Sequence, residues 1–438
     1  MKTNNYTKKG IVMMLLALAG SNYSLAQQAT IVVSNPTDAQ RQELVEVSMS
    51  DVKAKLSGIA PKKGEAFIVK NKRGQQIGSQ ITHDGKLLID ASIRPHGSAT
   101  YYVSVGKPYP QKVWATGALY KIRKDDIAWE NDRCAYRVYG PALQRSGERS
   151  FGTDIWVKNT PDTVVYDRYI KDRQGNIDGN KVDKQVKKEE QKLKNLTGAA
   201  LEAQKAKIKA LKAESHEIDV TTSFHLDHGN GLDPYRVGAT LGLGAPGLMV
   251  GKELILPYCY KTYKILDNGP LRFTVELTYN PSTVGDQKNV VEHRIISLDK
   301  GSNFNKMTVW YDGLTHPTDF ATGFPIHEED TETKTFAKDY VSYADPTDNV
   351  ELNQSQVYVG VLFPNGVDNT YYQLFDKKHD GATGHALGLK RGLKDGERYS
   401  YYFGAAWSKY DVRSYNEWQL RIKEYLESLK TQLNITLK

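Results

Sequence analysis

Short runs of β-branched and aromatic residues, separated by turn-forming residues, recur along most of this chain. In residues 272–279, apolar residues alternate with polar ones, as in an antiparallel strand with one buried face. Helical periodicity is confined to residues 181–214 and to a C-terminal stretch, residues 414–430. This pattern predicts an all-β protein built from antiparallel sandwiches.

The strand runs fall into two groups. In residues 27–108, four short runs are separated by turn formers, a spacing typical of a small immunoglobulin-like sandwich. The runs in residues 109–438 predict a large antiparallel β-sandwich. We therefore expect a small N-terminal sandwich followed by a large one that carries the functional site.

Lysine, glutamate and alanine dominate residues 181–214, unlike the sequence on either side. A break at Thr197-Gly198 splits the stretch, which therefore predicts a helical hairpin inserted into the large domain. The hairpin is interpreted as a solvated insertion. Its lysines could alternatively contact an anionic polymer or a protein partner whose identity the sequence does not give.

The first 26 residues have the pattern of a secretory signal peptide. Three lysines precede the apolar run Ile11–Ala19, and Ser24-Leu25-Ala26 forms a small-x-small cleavage site. Cleavage after Ala26 and export to the periplasm or the medium are expected. The apolar run is too short to cross a bilayer, and no later stretch reaches the roughly 18 residues that a span requires.

The formal net charge of +8 is unevenly distributed. Three positive charges are lysines of the signal segment, and residues 181–214 hold ten lysines against five acids. The remainder is close to neutral, which argues against a general basic surface for nucleic acid. An anionic glycan could be attracted only by local patches.

Cys134 and Cys259 are the only cysteines. Export permits a disulfide between them, and two buried free thiols fit the sequence equally well. No cysteine pattern indicates a zinc site.

The stretch Ser223–Gly244 is the densest in groups that can do chemistry, and a second polar cluster follows at residues 314–330. Histidine and tyrosine can transfer protons, carboxylates can bond to sugar hydroxyls, and the glycines permit tight turns. The predicted catalytic residues are His225, Asp227, His228, Tyr235 and His327.

Aromatic and charged residues elsewhere predict a saccharide-binding surface. Three tryptophans would serve as stacking platforms, and Arg133 would hold a substrate carboxylate. Asp154 and Trp156, two positions apart, should share one strand face. The predicted substrate-binding residues are Trp129, Glu130, Arg133, Asp154, Trp156, Asp233, His316 and Trp407.

These groups best fit cleavage of a uronate glycoside by β-elimination, in a lyase or dehydratase. His225 or His228 would remove the proton beside the carboxylate, and Tyr235 would act as an acid or second base. A glycoside hydrolase with paired carboxylates is an alternative, for instance Asp233 with Glu130. A non-catalytic glycan-binding protein is another, and histidines and aspartates that merely order turns are the plainest interpretation.

No cofactor is expected. A divalent cation at His225, Asp227 and His228, completed by His316 or His327, is a weaker alternative because no zincin-type spacing is present. Nucleophile-elbow, P-loop and dinucleotide fingerprints are also absent from the sequence.

Four segments, residues 129–143, 225–242, 321–327 and 401–408, carry a family resemblance. There the sequence resembles the exported family of domain of unknown function 4861, and the resemblance extends over about residues 28–430. It implies a protein of polysaccharide-degrading Bacteroidetes, found among lyases and unsaturated-uronate hydrolases, with no assigned catalytic residues. Together with the strand content it suggests a mutarotase-like supersandwich for the large domain, although a fold does not fix a function.

Overall fold

The structure is a computed structural model that describes residues 28–328, 333–346 and 355–438. The predicted signal peptide, residues 1–26, lies outside the described residues, as do Glu329 and Asp330 of the second polar cluster. Within the described residues, no helix is long and apolar enough to cross a membrane.

The first part of the chain forms a small sandwich of two antiparallel sheets. Its buried residues, such as Ile31, Val47 and Val103, alternate with exposed ones because successive side chains of a strand point to opposite faces. The elements are β1 (Ala29–Ser34), β2 (Arg41–Ser48), α1 (Met49–Lys55), β3 (Ala66–Asn71), β4 (Ser79–Ile81), β5 (Lys86–Ile93) and β6 (Ser98–Gly106).

A five-stranded sheet follows, with two long helices inserted before its last strand. The strand order is β11-β10-β9-β8-β7. The elements are β7 (Thr116–Tyr120), β8 (Asp126–Glu130), β9 (Cys134–Val138), α2 (Pro141–Arg145), β10 (Thr153–Lys158), α3 (Val165–Lys192), α4 (Gly198–Thr222) and β11 (Gly231–Leu232), with a short 3-10 turn at Lys121–Arg123 and another at Leu193–Asn195.

The rest of the chain forms two further antiparallel sheets and a terminal helix. The elements are β12 (Pro246–Val250), β13 (Glu253–Ile255), β14 (Tyr260–Asn268), β15 (Arg272–Tyr279), β16 (Ser282–Val284), β17 (Gln287–Asp299), β18 (Phe304–Asp312), β19 (Thr318–Ile326), β20 (Lys334–Phe336), β21 (Tyr340–Asp345), β22 (Val357–Leu362), β23 (Asn369–His379), β24 (Ala382–Leu393), β25 (Tyr399–Trp407), α5 (Tyr415–Lys430) and β26 (Asn434–Leu437).

These strands complete a large sandwich. One layer is a nine-stranded sheet, β14-β15-β17-β18-β25-β22-β21-β20 with β16 beside β17. The other combines the β7–β11 sheet with the five-stranded sheet β13-β12-β19-β24-β23. Trp129, Phe273, Phe324 and Phe403 lie in the single hydrophobic core between the layers. The prediction of an all-β sandwich fold is therefore confirmed.

A glycine-rich segment joins the two sheets of the second layer. Leu243 N donates to Thr153 O at 2.8 Å, and Gly244 N donates to Gly323 O at 2.7 Å. A Cβ on Gly242 would lie 2.2 Å from Thr153 O, and this residue has a φ of +55°. Only glycine fits so close a backbone approach.

The helical hairpin is longer than the sequence predicted. It extends over Val165–Thr222 instead of 181–214, so residues on both sides of the predicted insertion, including the β-branched ones just before Ser223, belong to the two helices. The hairpin has its own small apolar core, which includes Val182 and Ile208. This packing overrides the strand preference of the β-branched residues near the end of α4.

Both ends of the described chain meet in the small sandwich. β26 pairs antiparallel with β1, so that Val33 faces Ile435 and Ile31 faces Leu437. The four-stranded sheet has the order β26-β1-β6-β3, and the three-stranded sheet has the order β2-β5-β4.

Helix α5 leads to this last strand. Ser414 Oγ accepts a hydrogen bond from Glu417 N at 3.2 Å, as the capping-box pattern predicts. Trp418 and Ile422 are buried against the outer face of the nine-stranded sheet.

The two cysteines are free, buried thiols. Cys134 Sγ donates to Ala405 O at 3.0 Å, and Cys259 Sγ donates to Gln144 Oε1 at 3.1 Å. Of the two alternatives left open by the sequence, the structure has free thiols.

Candidate functional site

The predicted catalytic histidines His225 and His228 lie in the loop between α4 and β11. Asp227 Oδ1 closes this loop by accepting from Gly229 N at 2.9 Å and from Gly231 N at 3.0 Å. His228 is exposed, and its Nε2 lies 2.8 Å from Ser223 O. The Asp227 carboxylate therefore orders the turn. This is the role that the plainest interpretation of the sequence gave to such aspartates.

His225 is positioned by Asp233. Its Nδ1 lies 3.0 Å from the Asp233 carbonyl oxygen and 3.9 Å from Asp233 Oδ2. The His225 side chain is 58% exposed, whereas that of Asp233 is 1% exposed. The Nε2 atom has no hydrogen-bond partner in the described part of the chain. The Asp233 carbonyl oxygen thus binds one side of an imidazole whose other nitrogen is open to a ligand, and the buried Asp233 carboxylate lies nearby.

Beneath this loop lies a buried cluster of three carboxylates around one guanidinium. Arg137 Nε donates to Asp154 Oδ2 at 2.9 Å, and Arg137 Nη2 donates to Asp233 Oδ2 at 2.9 Å. Asp126 Oδ2 lies 3.5 Å from Arg137 Nη1. The cluster therefore holds more negative than positive groups in a water-poor environment.

This excess shows in the pKa values. Burial raises the pKa of Asp126 to about 6 and, reinforced by the nearby Asp154 carboxylate, also raises the pKa of Asp233 to about 6. Burial alone would lower the pKa of Arg137, but Asp154 outweighs it and raises that pKa above its usual value. The guanidinium of Arg137 therefore stays charged, whereas the raised pKa values of Asp126 and Asp233 favour their protonated forms to higher pH than in an ordinary aspartate.

Strand pleating explains how distant residues form the cluster. Arg137 of β9 is in register with Asp154 of β10 and with Ala128 of β8, whose face it shares. Asp154 and Trp156 point to this same outer face, as their spacing predicted. Helix α3 covers the face with Tyr169 and Val165.

Several buried polar atoms of this face have no hydrogen-bond partner among the described residues. They are Asp126 Oδ2, Asp233 Oδ1, Trp156 Nε1 and the Tyr169 hydroxyl. Unsatisfied buried polar atoms are rare because each costs about 1–3 kcal/mol. Their concentration in one place marks this face as the chemically unusual part of the fold.

Two residues that the sequence analysis did not single out complete the site. Arg123, in the 3-10 turn after β7, lies with its guanidinium carbon 5.7 Å from the centre of the Phe224 ring and has no ion-pair partner in the described ranges. Asp172 of α3 interacts electrostatically with both Arg123 and His225. Burial raises the pKa of Asp172. No local sequence pattern could have shown that Arg123 and Asp172 influence each other, because this depends on how α3 packs over the sheet.

The three predicted stacking tryptophans are not exposed. Trp129 lies in the sandwich core, where its Nε1 donates to Asn305 Oδ1 at 2.7 Å. Trp156 is covered by Phe224, with 4.9 Å between ring centres, and Trp407 Nε1 donates to Ser355 Oγ at 2.8 Å. All three are at most 1% exposed, so none of the predicted stacking platforms presents an open ring face in this structure.

Two predicted substrate-binding residues serve the fold instead. Glu130 is buried, with Oε2 2.8 Å from Lys158 Nζ, and it accepts from Val164 N and Val165 N at the start of α3. Arg133 forms an ion pair with Asp411 and donates from Nε to Gly301 O at 2.5 Å. Neither side chain is placed to receive a substrate as predicted, because both are already engaged.

His327 is also engaged at both ring nitrogens. Its Nδ1 lies 2.6 Å from Asp345 Oδ2, and its Nε2 lies 2.9 Å from Arg236 O. Burial would lower the pKa of His327, but the Asp345 carboxylate outweighs it and raises that pKa. Such a histidine fixes the segment after β11 and offers no free nitrogen to a substrate, contrary to its predicted role.

The remaining predicted residues lie apart from the loop. Tyr235 is buried, and its ring centre is 5.6 Å from that of His327. Its hydroxyl is therefore not open to a substrate as predicted. His316 contacts Asp286 at 3.1 Å and Pro317 O at 3.3 Å, so it does not join His225.

The described side chains do not form the divalent-cation site that was considered as a weaker alternative at His225, Asp227 and His228. Among the described residues, no group of three or more histidine, cysteine, aspartate or glutamate side chains is arranged to hold a metal ion. Asp227 is occupied with the Gly229 and Gly231 amides. Lys409 Nζ lies 3.9 Å from Asp227 Oδ2 and 5.2 Å from the Trp407 ring centre.

Comparison with solved structures gives distant similarities. An alpha-mannosidase from Enterococcus faecalis V583 aligns with a TM-score of 0.45 and 8% identity, over 94% of this chain and 46% of that one. A protein in glycosyl hydrolase family 38 from Enterococcus faecalis aligns with a TM-score of 0.46 and 8% identity, over 94% and 47%. This chain spans about half the length of those structures.

Comparison of sequences gives a family. Uncharacterized protein P7 of Formosa agariphila is 23% identical over 458 residues, covering 98% of this chain and 100% of that protein. The family described as domain of unknown function (DUF4861) matches residues 33–435. Because this match covers most of the chain, the protein belongs to the DUF4861 family.

Proposed function

We propose that this protein is an exported, periplasmic enzyme that cleaves uronic-acid-containing oligosaccharides by β-elimination. The observation that carries the proposal is the contact of His225 with Asp233, next to Phe224, whose ring centre lies 5.7 Å from the guanidinium carbon of Arg123. The predicted signal peptide and the family resemblance support an extracytoplasmic saccharide substrate.

His225 is the general base in this proposal. An effective base needs a free nitrogen at the surface and a partner that fixes the ring. The Nε2 atom meets the first requirement, and the Asp233 contacts at 3.0 Å and 3.9 Å meet the second. His228 is the weaker candidate, because its Nε2 is bound to the Ser223 carbonyl.

Arg123 takes the role that the sequence analysis gave to Arg133. An arginine that is not already paired can bind a carboxylate through two parallel hydrogen bonds. Holding the uronate carboxylate in this way stabilises the enolate that forms when the neighbouring carbon loses its proton. Arg123 meets this condition in the described structure, whereas Arg133 is tied to Asp411.

The reaction is balanced without a further reactant. The proton on the carbon beside the carboxylate passes to His225 Nε2, and its electron pair forms a C=C bond. The bond from the adjacent carbon to the glycosidic oxygen breaks, and that oxygen takes a proton from Asp172 or from water. A raised pKa keeps Asp172 protonated to higher pH than an ordinary aspartate, which suits a proton donor.

Hydrolysis remains the second candidate because of the raised pKa values of Asp126 and Asp233. Both carboxylates, however, are buried beneath α3 and close to Arg137, so a catalytic water would require the loop to move. A purely sugar-binding role is less well supported, because the tryptophans are covered.

The test is to incubate the mature protein with saturated oligogalacturonates and oligoglucuronates and to follow the ultraviolet absorbance of the conjugated C=C bond. Under the proposal, absorbance increases in step with new reducing ends, and His225→Ala lowers the rate by about 10²–10⁴-fold. His96→Ala is the matched control, since His96 is another exposed histidine beside an aspartate, 2.6 Å from Asp38. Reducing ends without absorbance would establish hydrolysis instead, and neither signal would overturn the proposal.

A further inference from the structure

A cavity of about 800 Å³ lies between the two sandwiches, away from the histidine loop. Its floor is the outer face of β15, β17, β18 and β25, and its walls are β2 of the small sandwich and helix α5. The lining contains no residue of the segment 223–233. The volume is within the range of roughly 300–1,000 Å³ typical of ligand sites, which favour domain interfaces.

The walls of this interdomain cleft are held in place by bonds between the two sandwiches. Arg41 Nη1 donates to Thr431 O at 2.9 Å, and Gln80 Oε1 accepts from Arg272 N at 2.7 Å. His83 N donates to Asp267 Oδ1 at 2.7 Å. Because these contacts already exist, the cleft is preformed, and binding would require little ordering of the walls.

Most charges at the cleft are already balanced by neighbours. Arg41 pairs with Glu43 at 2.7 Å, and Arg272 pairs with Glu46 at 2.7 Å and with Asp299 at 2.5 Å. These two arginines face three carboxylates, and the whole lining holds six arginine and lysine side chains against six aspartate and glutamate side chains, so a polyanion would gain little net attraction. The walls therefore favour a ligand that carries little charge.

The floor offers a cluster of polar groups, of which the Lys306 ammonium is not used by the described part of the fold, while the Thr308 hydroxyl lies 2.8 Å from Ser400 Oγ. Lys306 is exposed and has no hydrogen-bond or ion-pair partner within the described ranges. It lies in register with Ser297 on one side and Tyr402 on the other. Thr308 shares its face, and the ring of Tyr402 packs edge-on against that of Tyr425 with 5.5 Å between centres.

We propose that this cleft is a second, non-catalytic binding site for a nearly uncharged oligosaccharide. Hydroxyl groups of the floor and the Lys306 ammonium bond to sugar hydroxyls, and the partly exposed tyrosines contact the apolar faces of the sugar rings. The site is independent of β-elimination, because it shares no residue with the His225–Asp233 pair.

The experiment measures binding in the full mature chain that carries His225→Ala, so that turnover does not interfere. Cellohexaose, xylohexaose and mannohexaose are the neutral probes, and hexagalacturonate is the anionic probe, each followed by titration calorimetry. At least one neutral probe is expected to bind, and Lys306→Ala with Thr308→Ala is expected to weaken it by about tenfold.

The matched control is Thr262→Ala with Lys264→Ala, the same pair of residue types two positions apart on β14, outside the cleft lining. It should leave affinity unchanged. Absence of binding by every neutral probe, hexagalacturonate binding that is tighter and is itself weakened by the Lys306→Ala and Thr308→Ala double variant, or equal losses in the two double variants would each overturn the proposal. None of these results bears on the elimination assay, so the two proposals fail separately.

Discussion

The imidazole of His225 lies against Asp233, with Nδ1 3.0 Å from the carbonyl oxygen and 3.9 Å from the carboxylate Oδ2. The same carboxylate oxygen accepts from Arg137 Nη2 at 2.9 Å. A surface histidine thus lies at the edge of a buried charge cluster, where the Asp233 backbone orients the ring and the Asp233 carboxylate acts on its charge.

Activity should therefore fall below about pH 6, because the pKa of Asp233 is raised to about 6 and its carboxylate is lost below that value. Asp233→Asn should lower kcat about tenfold or more at neutral pH and remove that part of the acidic limb. The measurement is kcat and KM from pH 5 to pH 8. If the Asp233→Asn variant kept the wild-type pH profile, the Asp233 carboxylate would have no influence on His225.

Arg123→Ala should raise KM and lower kcat/KM by about 10²–10³-fold, since one charged donor to the developing enolate is lost. Arg123→Lys should recover part of the activity, because a point charge replaces a planar pair of donors. Arg145→Ala is the control, because Arg145 is an exposed arginine paired with Asp125 at 3.4 Å. Equal effects at positions 123 and 145 would remove Arg123 from the site.

Gly175→Ala should destabilise the hairpin, because the new Cβ would lie 1.8 Å from Thr222 Oγ1 and 2.5 Å from Thr222 Cβ. Gly179→Ala, one turn further along α3, meets nothing closer than Ile218 Cγ2 at 4.0 Å. This second variant should instead gain up to about 1 kcal/mol from helix propensity. Urea unfolding measures the free energy of unfolding of both variants. If both variants were destabilised, or both stabilised, the prediction would be contradicted.

Glu130→Ala should cost about 3–5 kcal/mol, because it leaves the buried ammonium of Lys158 without its carboxylate. The start of α3 would also lose the acceptor for Val164 N and Val165 N. Hydrogen exchange should show earlier opening of α3 than of the small sandwich. Protection lost equally in both regions would argue against a local capping role.

Stability should also change with the protonation of His327. Its pKa is raised in the folded state, so the contribution is complete below the unfolded-state pKa and is lost as the pH rises through the folded-state pKa. Asp345→Asn should therefore reduce the free energy of unfolding more at pH 6 than at pH 9. An equal loss at both pH values would show that the pair contributes through packing alone.

The sequence predicted features that depend on local pattern. Alternation placed Asp154 and Trp156 on one strand face, and the Ser414–Glu417 spacing predicted the start of α5. The sequence could not show which face of each strand is covered by another sheet or by a helix. Trp129 faces the sandwich core, while Trp156 lies under the hairpin on the opposite face, so an aromatic residue on either side becomes buried.

The sequence also could not predict contacts between residues that are far apart along the chain. Arg133 and Arg123 are ten positions apart and chemically identical, yet within the described residues Arg133 forms an ion pair, with Asp411, and Arg123 forms none. The role of each arginine therefore depends on packing between strands and helices that are far apart in sequence. The end of α4 was misassigned for a similar reason, because the hairpin core decides its conformation.

The pairing of β26 with β1 has a consequence for how the molecule is made. During synthesis, which proceeds from the N-terminus, one sheet edge of the small sandwich stays open until β26 has emerged. The four-stranded sheet is therefore completed last, because its edge strand comes from the far end of the sequence. The interdomain cleft is assembled in that final step.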